Sequence, residues 1–164
     1  QKKGTKCYRR IEDHFGEGIL DGEGRLDRAA LGNIVFSNKA QLRILNEIVH
    51  PAVKEKIREI IRKEEKKGTS VFVLEAALFI EENYNAMCDE VWYIYADEET
   101  RKRRLTASRG HSEDKIEGIF ASQMSSSDFF AGCDRAIDNC NSFQEACGEI
   151  DDVMAQLGIK KIHE

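Results

Sequence analysis

Five cations, Arg101, Lys102, Arg103, Arg104 and Arg109, stand in one short stretch with no acid among them. Guanidinium forks meet phosphate oxygens with two bonds at once, and phosphoryl transfer spreads negative charge over such oxygens. On a helix Arg101 and Arg104 share a face, while Arg109-Gly110 falls at a break where a lid could hinge. Two readings stand: a phosphate-binding face for a mononucleotide, or a solvated basic face.

Two further places qualify, because ligands of open parallel sheets sit beyond the carboxyl ends of the strands. Glu75 closes the apolar run Val71-Phe72-Val73-Leu74, and a carboxylate there can hold Mg²⁺ through water or orient a nucleophile. A solvated, salt-bridged glutamate fits as well. Asp138-Asn139-Cys140-Asn141 follows the last apolar run, where amide groups can hold a base or simply form a turn. His14, His111 and His163 have no partner at a recognisable spacing and read as surface or packing residues. His50 precedes Pro51 and either caps a helix or lines a pocket.

These residues need elements to carry them. Up to about Lys67 the pattern is helical: Ser37 is expected to cap a helix across Gln41, Leu42, Leu45, Ile48 and Val49. His50-Pro51 is expected to break it, with Pro51 opening a second helix that carries Val53, Ile57, Ile60 and Ile61, pairs Glu59 with Lys63, and ends at Gly68. Val71–Leu74 and Val91-Trp92-Tyr93-Ile94-Tyr95 are apolar on both faces and too short for helices, which predicts strands of a mostly parallel, helix-covered sheet. A short third strand is expected at Ala136-Ile137-Asp138. Asp97-Glu98-Glu99 opens a helix through Arg109, Ser112-Glu113-Asp114 another through Gln123, and Ser142 with Glu145 a capping box. The last helix should pack through Phe143, Ala146, Cys147, Ile150, Val153 and Leu157. The glycines at Gly16, Gly18, Gly22 and Gly24 read as turn glycines.

Composition narrows the function. With 25 Lys+Arg against 30 Asp+Glu, a net charge of −5, and 34% charged and 41% hydrophobic residues, the 164 residues resemble an ordinary soluble globule and not a partner of nucleic acid. No apolar run is long enough to span a membrane and no signal segment opens the chain, so a cytoplasmic protein is expected. Cys7, Cys88, Cys133, Cys140 and Cys147 are an odd, scattered set that reads as free thiols, and the seven-residue spacing of the last three does not suit zinc. The expected organisation is a single domain over 1–164, with a helical region at 5–67, an α/β core at 70–100 and 133–164, and a lid region at 101–130.

In their order these segments resemble dephospho-coenzyme A kinases, from about Gly4 to Asn141. The likeness is carried by Phe15-Gly16, Gly24-Arg25-Leu26-Asp27-Arg28, Leu31, Ile34-Val35-Phe36 and Ile48-Val49-His50-Pro51-Ala52-Val53. It continues through Leu74-Glu75-Ala76-Ala77-Leu78-Phe79-Ile80-Glu81, Asp89-Glu90-Val91-Trp92, Arg101–Arg109, Gln123 and Cys133-Asp134-Arg135-Ala136-Ile137-Asp138-Asn139. The resemblance implies a P-loop nucleoside-kinase-like three-layer α/β fold with a parallel sheet, a helical substrate-binding insertion and an Arg-rich lid. It implies transfer of the γ-phosphate of ATP, with Mg²⁺, to the ribose 3′-hydroxyl of dephospho-coenzyme A, the last step of coenzyme A synthesis. Arg104 and Arg109 fall where lid arginines approach ATP, and Asn139 where adenine lies. Arg28, His50, Leu78 and Glu81 fall in regions that receive dephospho-coenzyme A. Arg104, Arg109 and Glu75 are thus the catalytic candidates, and no residue is assigned to metal. A monomer or weak homo-oligomer is expected.

The chain departs from the family pattern at Glu75 and Ala77, which replace an aspartate and a proline and leave the role of Glu75 open. It also holds no Gly-x-x-x-x-Gly-Lys-Ser/Thr. In the family a first strand, that loop and an aspartate resembling a catalytic base precede the position of Gly4. The expectation is a truncated or partly recorded piece of an active kinase. The rivals are another nucleoside or nucleotide kinase of this fold and a non-catalytic coenzyme- or nucleotide-binding module. The 164 residues by themselves are expected not to turn over; clear ADP release in a coupled assay would refute the need for a preceding segment.

Overall fold

The computed structural model describes residues 3–159, so His163 lies outside the described residues. The polypeptide divides into two compact units, Gln1–Phe72 and Val73–Glu164.

The first unit is helical because each helix has a side chain to cap it and an apolar stripe to bury. Thr5 accepts a hydrogen bond from the Tyr8 amide and opens helix α1, Lys6–Phe15. After a short 3₁₀ turn at Glu17–Ile19, Asp27 accepts from the Ala29 and Ala30 amides and opens α2, Arg28–Phe36. Helix α3 then runs from Lys39 to Lys67. Ile11, Ile19, Leu31, Val35 and Ile48 form the core of this unit. Burying each such side chain contributes about 1.5–3 kcal/mol.

Two expectations for this unit are corrected. Asn38, not Ser37, caps α3, accepting from the Ala40 and Gln41 amides. The Ser37 hydroxyl is engaged elsewhere, donating to the Asn33 and Ile34 carbonyls at the end of α2. Nor does His50-Pro51 break the chain: Pro51 lies inside α3, and His50 is a half-buried residue of the same helix. Proline removes one backbone bond and crowds the preceding turn, which costs about 3 kcal/mol. The packing of Leu42, Ile44, Leu45 and Val49 against the core outweighs that cost. Beyond the proline, Glu59 bonds to Lys56 at 2.7 Å, and the expected partner Lys63 adds a weaker attraction to the same carboxyl. Gly68 ends the helix in the left-handed region, at φ 76°.

The second unit holds a small parallel sheet. Strand β1, Trp92–Tyr95, pairs with β2, Arg135–Asp138, in the register Trp92↔Arg135 through Tyr95↔Asp138. Between them lie α4 (Glu98–Arg109), α5 (Glu113–Ala121) and α6 (Ser126–Ala131), and α7 (Phe143–Gln156) follows β2. The chain is thus a mixed α/β protein with a parallel sheet. The strand entry is pinned by paired bonds. Asp134 and Val91 exchange hydrogen bonds at 2.8 Å each, and Arg135 grips Glu90 with Nε at 2.8 Å and Nη2 at 3.1 Å. That guanidinium, with the Trp92 indole N–H, holds the Glu90 carboxyl below its ordinary range.

The strand expected at Val71–Leu74 does not form. Strand geometry requires a neighbour to complete the ladder, and among the described residues no backbone bonds to this segment. Phe72 and Val73 are exposed. The capping expectations at Asp97 and Ser142 hold, with the Thr100 and Glu145 amides donating to them. In α7 Ala146 is buried and Cys147, Ile150 and Val153 are half-buried, but Phe143 is 76% exposed and Leu157, just past the helix, is exposed as well, so neither packs as expected. The five cysteines are free. Among the described residues no helix is long and apolar enough to cross a membrane.

Replacing Pro51 with alanine should restore the missing backbone bond. Urea unfolding of Pro51→Ala is expected to show a gain of about 1–3 kcal/mol, and a loss of stability would show that the proline is required where it stands.

Candidate functional site

The parallel register places the ends of β1 and β2 side by side. The Asn139 amide donates to the Tyr95 carbonyl at 2.7 Å, so Ala96 and Asn139 leave the sheet together. Beyond them a cleft of about 410 Å³ opens, lined by Ala77, Leu78, Glu81, Tyr93, Ile94, Ala96, Arg101, Arg104, Ser122, Gln123, Met124, Phe129 and Asn139. All of these belong to the second unit.

The cations arrive on α4. Asp97 caps it, accepting from the Thr100 amide at 2.6 Å, and the Asp97 amide donates to the Cys140 Sγ at 3.3 Å. The Thr100 amide first, and then a hydrogen bond from the Cys140 thiol to the carboxyl itself, hold the Asp97 carboxyl below its ordinary range. With the helix start fixed, Arg101 and Arg104 fall one turn apart on the side facing the cleft. Arg104 Nη2 donates to the Asn141 carbonyl at 3.4 Å, a long bond. Arg101 Nη1 donates to Gln123 Oε1 at 3.1 Å. Gly110, at φ 60°, ends α4 in the left-handed region before α5.

The apolar wall is aromatic. Tyr93 stacks on Phe129 with centroids 5.0 Å apart and planes at 18°, and Phe130 packs edge-on against Tyr93 at 5.1 Å. Behind the strand ends, the Cys140 thiol bonds to Asp138, which raises the thiol pKa and lowers that of the carboxyl. An apolar and aromatic wall beside two guanidiniums and two amides suits a ligand with a planar group and an anionic tail.

Four of the expected site residues, Leu78, Glu81, Arg104 and Asn139, line this one cleft. Glu75 is exposed and does not line it, and Arg109 is exposed at the end of α4. Arg28, exposed at the start of α2, and His50 of α3 belong to the first unit. Tyr93, Ile94, Phe129 and Met124 also line the cleft without having been expected there, whereas Arg101 belongs to the cationic run read as a possible phosphate-binding face. Only Arg101 carried a readable signal, its helical face shared with Arg104. The first unit has its own shallow cleft of about 390 Å³ between α1 and α3, lined by Arg10, Asp13, His14, Ile44, Glu47 and Ile48. There His14 Nε2 bonds to Gln41 Oε1 at 3.0 Å. His111 is half-buried, and burial, ahead of Lys115 and Arg109, pushes its pKa down.

Residues 1–145 match the sequence profile of a family described as dephospho-CoA kinase. A dephospho-CoA kinase of Symbiobacterium thermophilum is 36% identical over 151 residues, covering 92% of this chain and 63% of that protein. One from Geobacter sulfurreducens is 36% identical over 153 residues, covering 93% of the chain and 78% of that protein. The chain therefore spans less than two thirds of the length of the Symbiobacterium relative. Among solved structures, dephospho-CoA kinase from Campylobacter jejuni superposes with a TM-score of 0.64 at 29% identity, covering 90% of this chain and 75% of that one. A Thermus thermophilus crystal structure gives a TM-score of 0.61 at 25% identity, with coverages of 92% and 80%.

The geometry separates Arg104, which lines the cleft, from Arg109, which does not. Arg104→Ala is expected to weaken nucleoside triphosphate binding by at least about tenfold, since hydrogen bonds to charged groups contribute roughly 1.5–3 kcal/mol. Arg109→Ala should change it by less than about twofold, as an exposed charge does. Isothermal titration of both variants checks this, and equal losses would contradict the separation.

Proposed function

The chain belongs to the dephospho-CoA kinase family, and from that premise we propose that the protein phosphorylates the ribose 3′-hydroxyl of dephospho-coenzyme A with ATP. The 3′ oxygen bonds to the γ-phosphorus, the bond to the β–γ bridging oxygen breaks, ADP departs and the hydroxyl proton is released. A cytoplasmic setting is part of the same reading, as expected of coenzyme A synthesis.

The observation that supports it is the gathering of Arg101, Arg104 and Asn139 in one cleft beyond the ends of two parallel strands. Phosphoryl transfer asks little covalent chemistry of the protein and much positioning and charge stabilisation. In this reading the guanidiniums of α4 meet the oxygens of the transferred group. Asn139 offers an amide that both donates and accepts, the requirement for holding an adenine edge. Leu78 and Glu81 serve the acceptor, one as an apolar contact and the other as a hydrogen-bond acceptor for its hydroxyls. Arg28 and His50 are assigned to the acceptor by resemblance to the family, and Arg109 and Glu75 remain catalytic candidates on the same ground.

Mg²⁺ belongs to this reading as a companion of the nucleotide phosphates. Among the described residues no group of three or more His, Cys, Asp or Glu could hold a metal, and the one carboxylate lining the cleft, Glu81, shares it with two guanidiniums. The residues described do not fit the ion as a ligand set, and no step is derived through it.

The test is acceptor choice by the natural gene product that carries this sequence. ADP release with dephospho-coenzyme A is expected to exceed that with AMP or adenosine by about a hundredfold in kcat/KM, the discrimination a site reading polar groups achieves or surpasses. An inert coenzyme precursor beside an active AMP would overturn the acceptor assignment in favour of another nucleotide kinase.

A further inference from the structure

Arg101 differs from the other cations of α4 in how firmly it is held. Its guanidinium carbon lies 4.5 Å from the centroid of the Phe120 ring, a cation–π distance, and Nη1 is fixed by Gln123 at 3.1 Å. Its Nε is sealed from solvent without a hydrogen-bond partner. Arg101 is thus immobilised from two sides on α5 and the segment after it, while its Nη2 meets no protein acceptor among the described residues.

The remaining cations of the run are otherwise occupied. Lys102 pairs with Glu113 at 2.8 Å, Arg103 and Arg109 are exposed, and neither lines the cleft. Arg101 and Arg104 are both half-buried and line the same cleft, and neither has a carboxylate partner among the described residues. In a chain with 30 acids against 25 bases, two neighbouring guanidiniums without an ion pair are poised for an anion from outside.

We infer that Arg101 is a second phosphate-contacting cation of this site, acting beside Arg104, and that Phe120 and Gln123 are the residues that position it. Arginine suits this role because a planar fork clamped against a ring loses little further freedom when it meets a phosphate. A lysine at 101 would keep the charge but lose the stacking and the two-pronged geometry. The inference rests on ATP being the phosphoryl donor at this cleft.

The experiment measures steady-state kinetics of the natural gene product with ATP and dephospho-coenzyme A, together with thermal unfolding. Arg101→Lys is expected to raise the ATP KM by roughly tenfold or more, with the acceptor KM and the unfolding midpoint unchanged. Phe120→Leu and Gln123→Ala should each raise the ATP KM by a smaller factor and add nothing in the Arg101→Lys background, the non-additivity of residues acting through one group. A wild-type ATP KM in Arg101→Lys, or full additivity, would overturn the inference while leaving the ATP assignment intact. If Arg101→Lys does not fold, an unchanged ATP KM in Gln123→Ala overturns it instead. Failure of the unaltered protein to use ATP with any acceptor would overturn both.

Discussion

The parallel pairing of Trp92–Tyr95 with Arg135–Asp138 is the constraint on which the candidate site depends. These segments are joined through three helices and about forty residues, the long crossover that a parallel pair demands. A shift by one residue would turn every side chain of a strand to its other face, so the register must be held. The Asp134–Val91 bonds and the Glu90–Arg135 fork hold it at the entry, and the Asn139–Tyr95 bond holds it at the exit. With register fixed, Ala96 and Asn139 emerge together and α4 begins immediately beyond.

Charge is arranged at both ends of the sheet by engaging the acids. Asp97 caps α4, Asp138 bonds to Cys140, Glu90 holds Arg135 and Glu113 holds Lys102. Each of these carboxyls is held below its ordinary range by the bond it makes. Their contributions to stability are therefore complete above the ordinary carboxylate range and are lost as pH falls through the lowered values. Water screens these partly exposed groups, so their main effect is on geometry. The consequence for the cleft is that, apart from Glu81 in its lining, these acids are committed elsewhere and the two α4 guanidiniums stay available.

Much of this was legible in the chain itself. Asp97 and Ser142 mark helix starts because their side-chain oxygens cap runs that bury an apolar face, whereas α5 starts after Ser112 without a bond from that hydroxyl. The strand expected at 91–95 from an apolar run too short for a helix forms as Trp92–Tyr95, and the short one expected at 136–138 forms as Arg135–Asp138. Where local signals misled, a tertiary term decided. Val71–Leu74 reads as a strand on hydrophobicity alone, but a strand exists only with a neighbour. Pro51 reads as a helix break, yet packing of the preceding residues carries α3 through it. Helix α6 was hidden in Ser125-Ser126-Ser127, which resembles a loop until the Ser125 hydroxyl is seen accepting from the Asp128 amide. The aromatic wall of Tyr93 and Phe129 joins residues distant in sequence, and no spacing announces it.

The proposed function requires the cleft beyond β1 and β2, in the second unit, to receive the phosphates of a nucleotide. Amide and arginine side-chain chemical-shift mapping during titration with ADP tests it most directly. The expected result is a set of shifts at Ala96, Arg101, Arg104, Gln123 and Asn139 that saturates with a single affinity. Shifts confined to Arg10, His14 and Glu47 in the first unit, with the α4 guanidiniums unmoved, would contradict it.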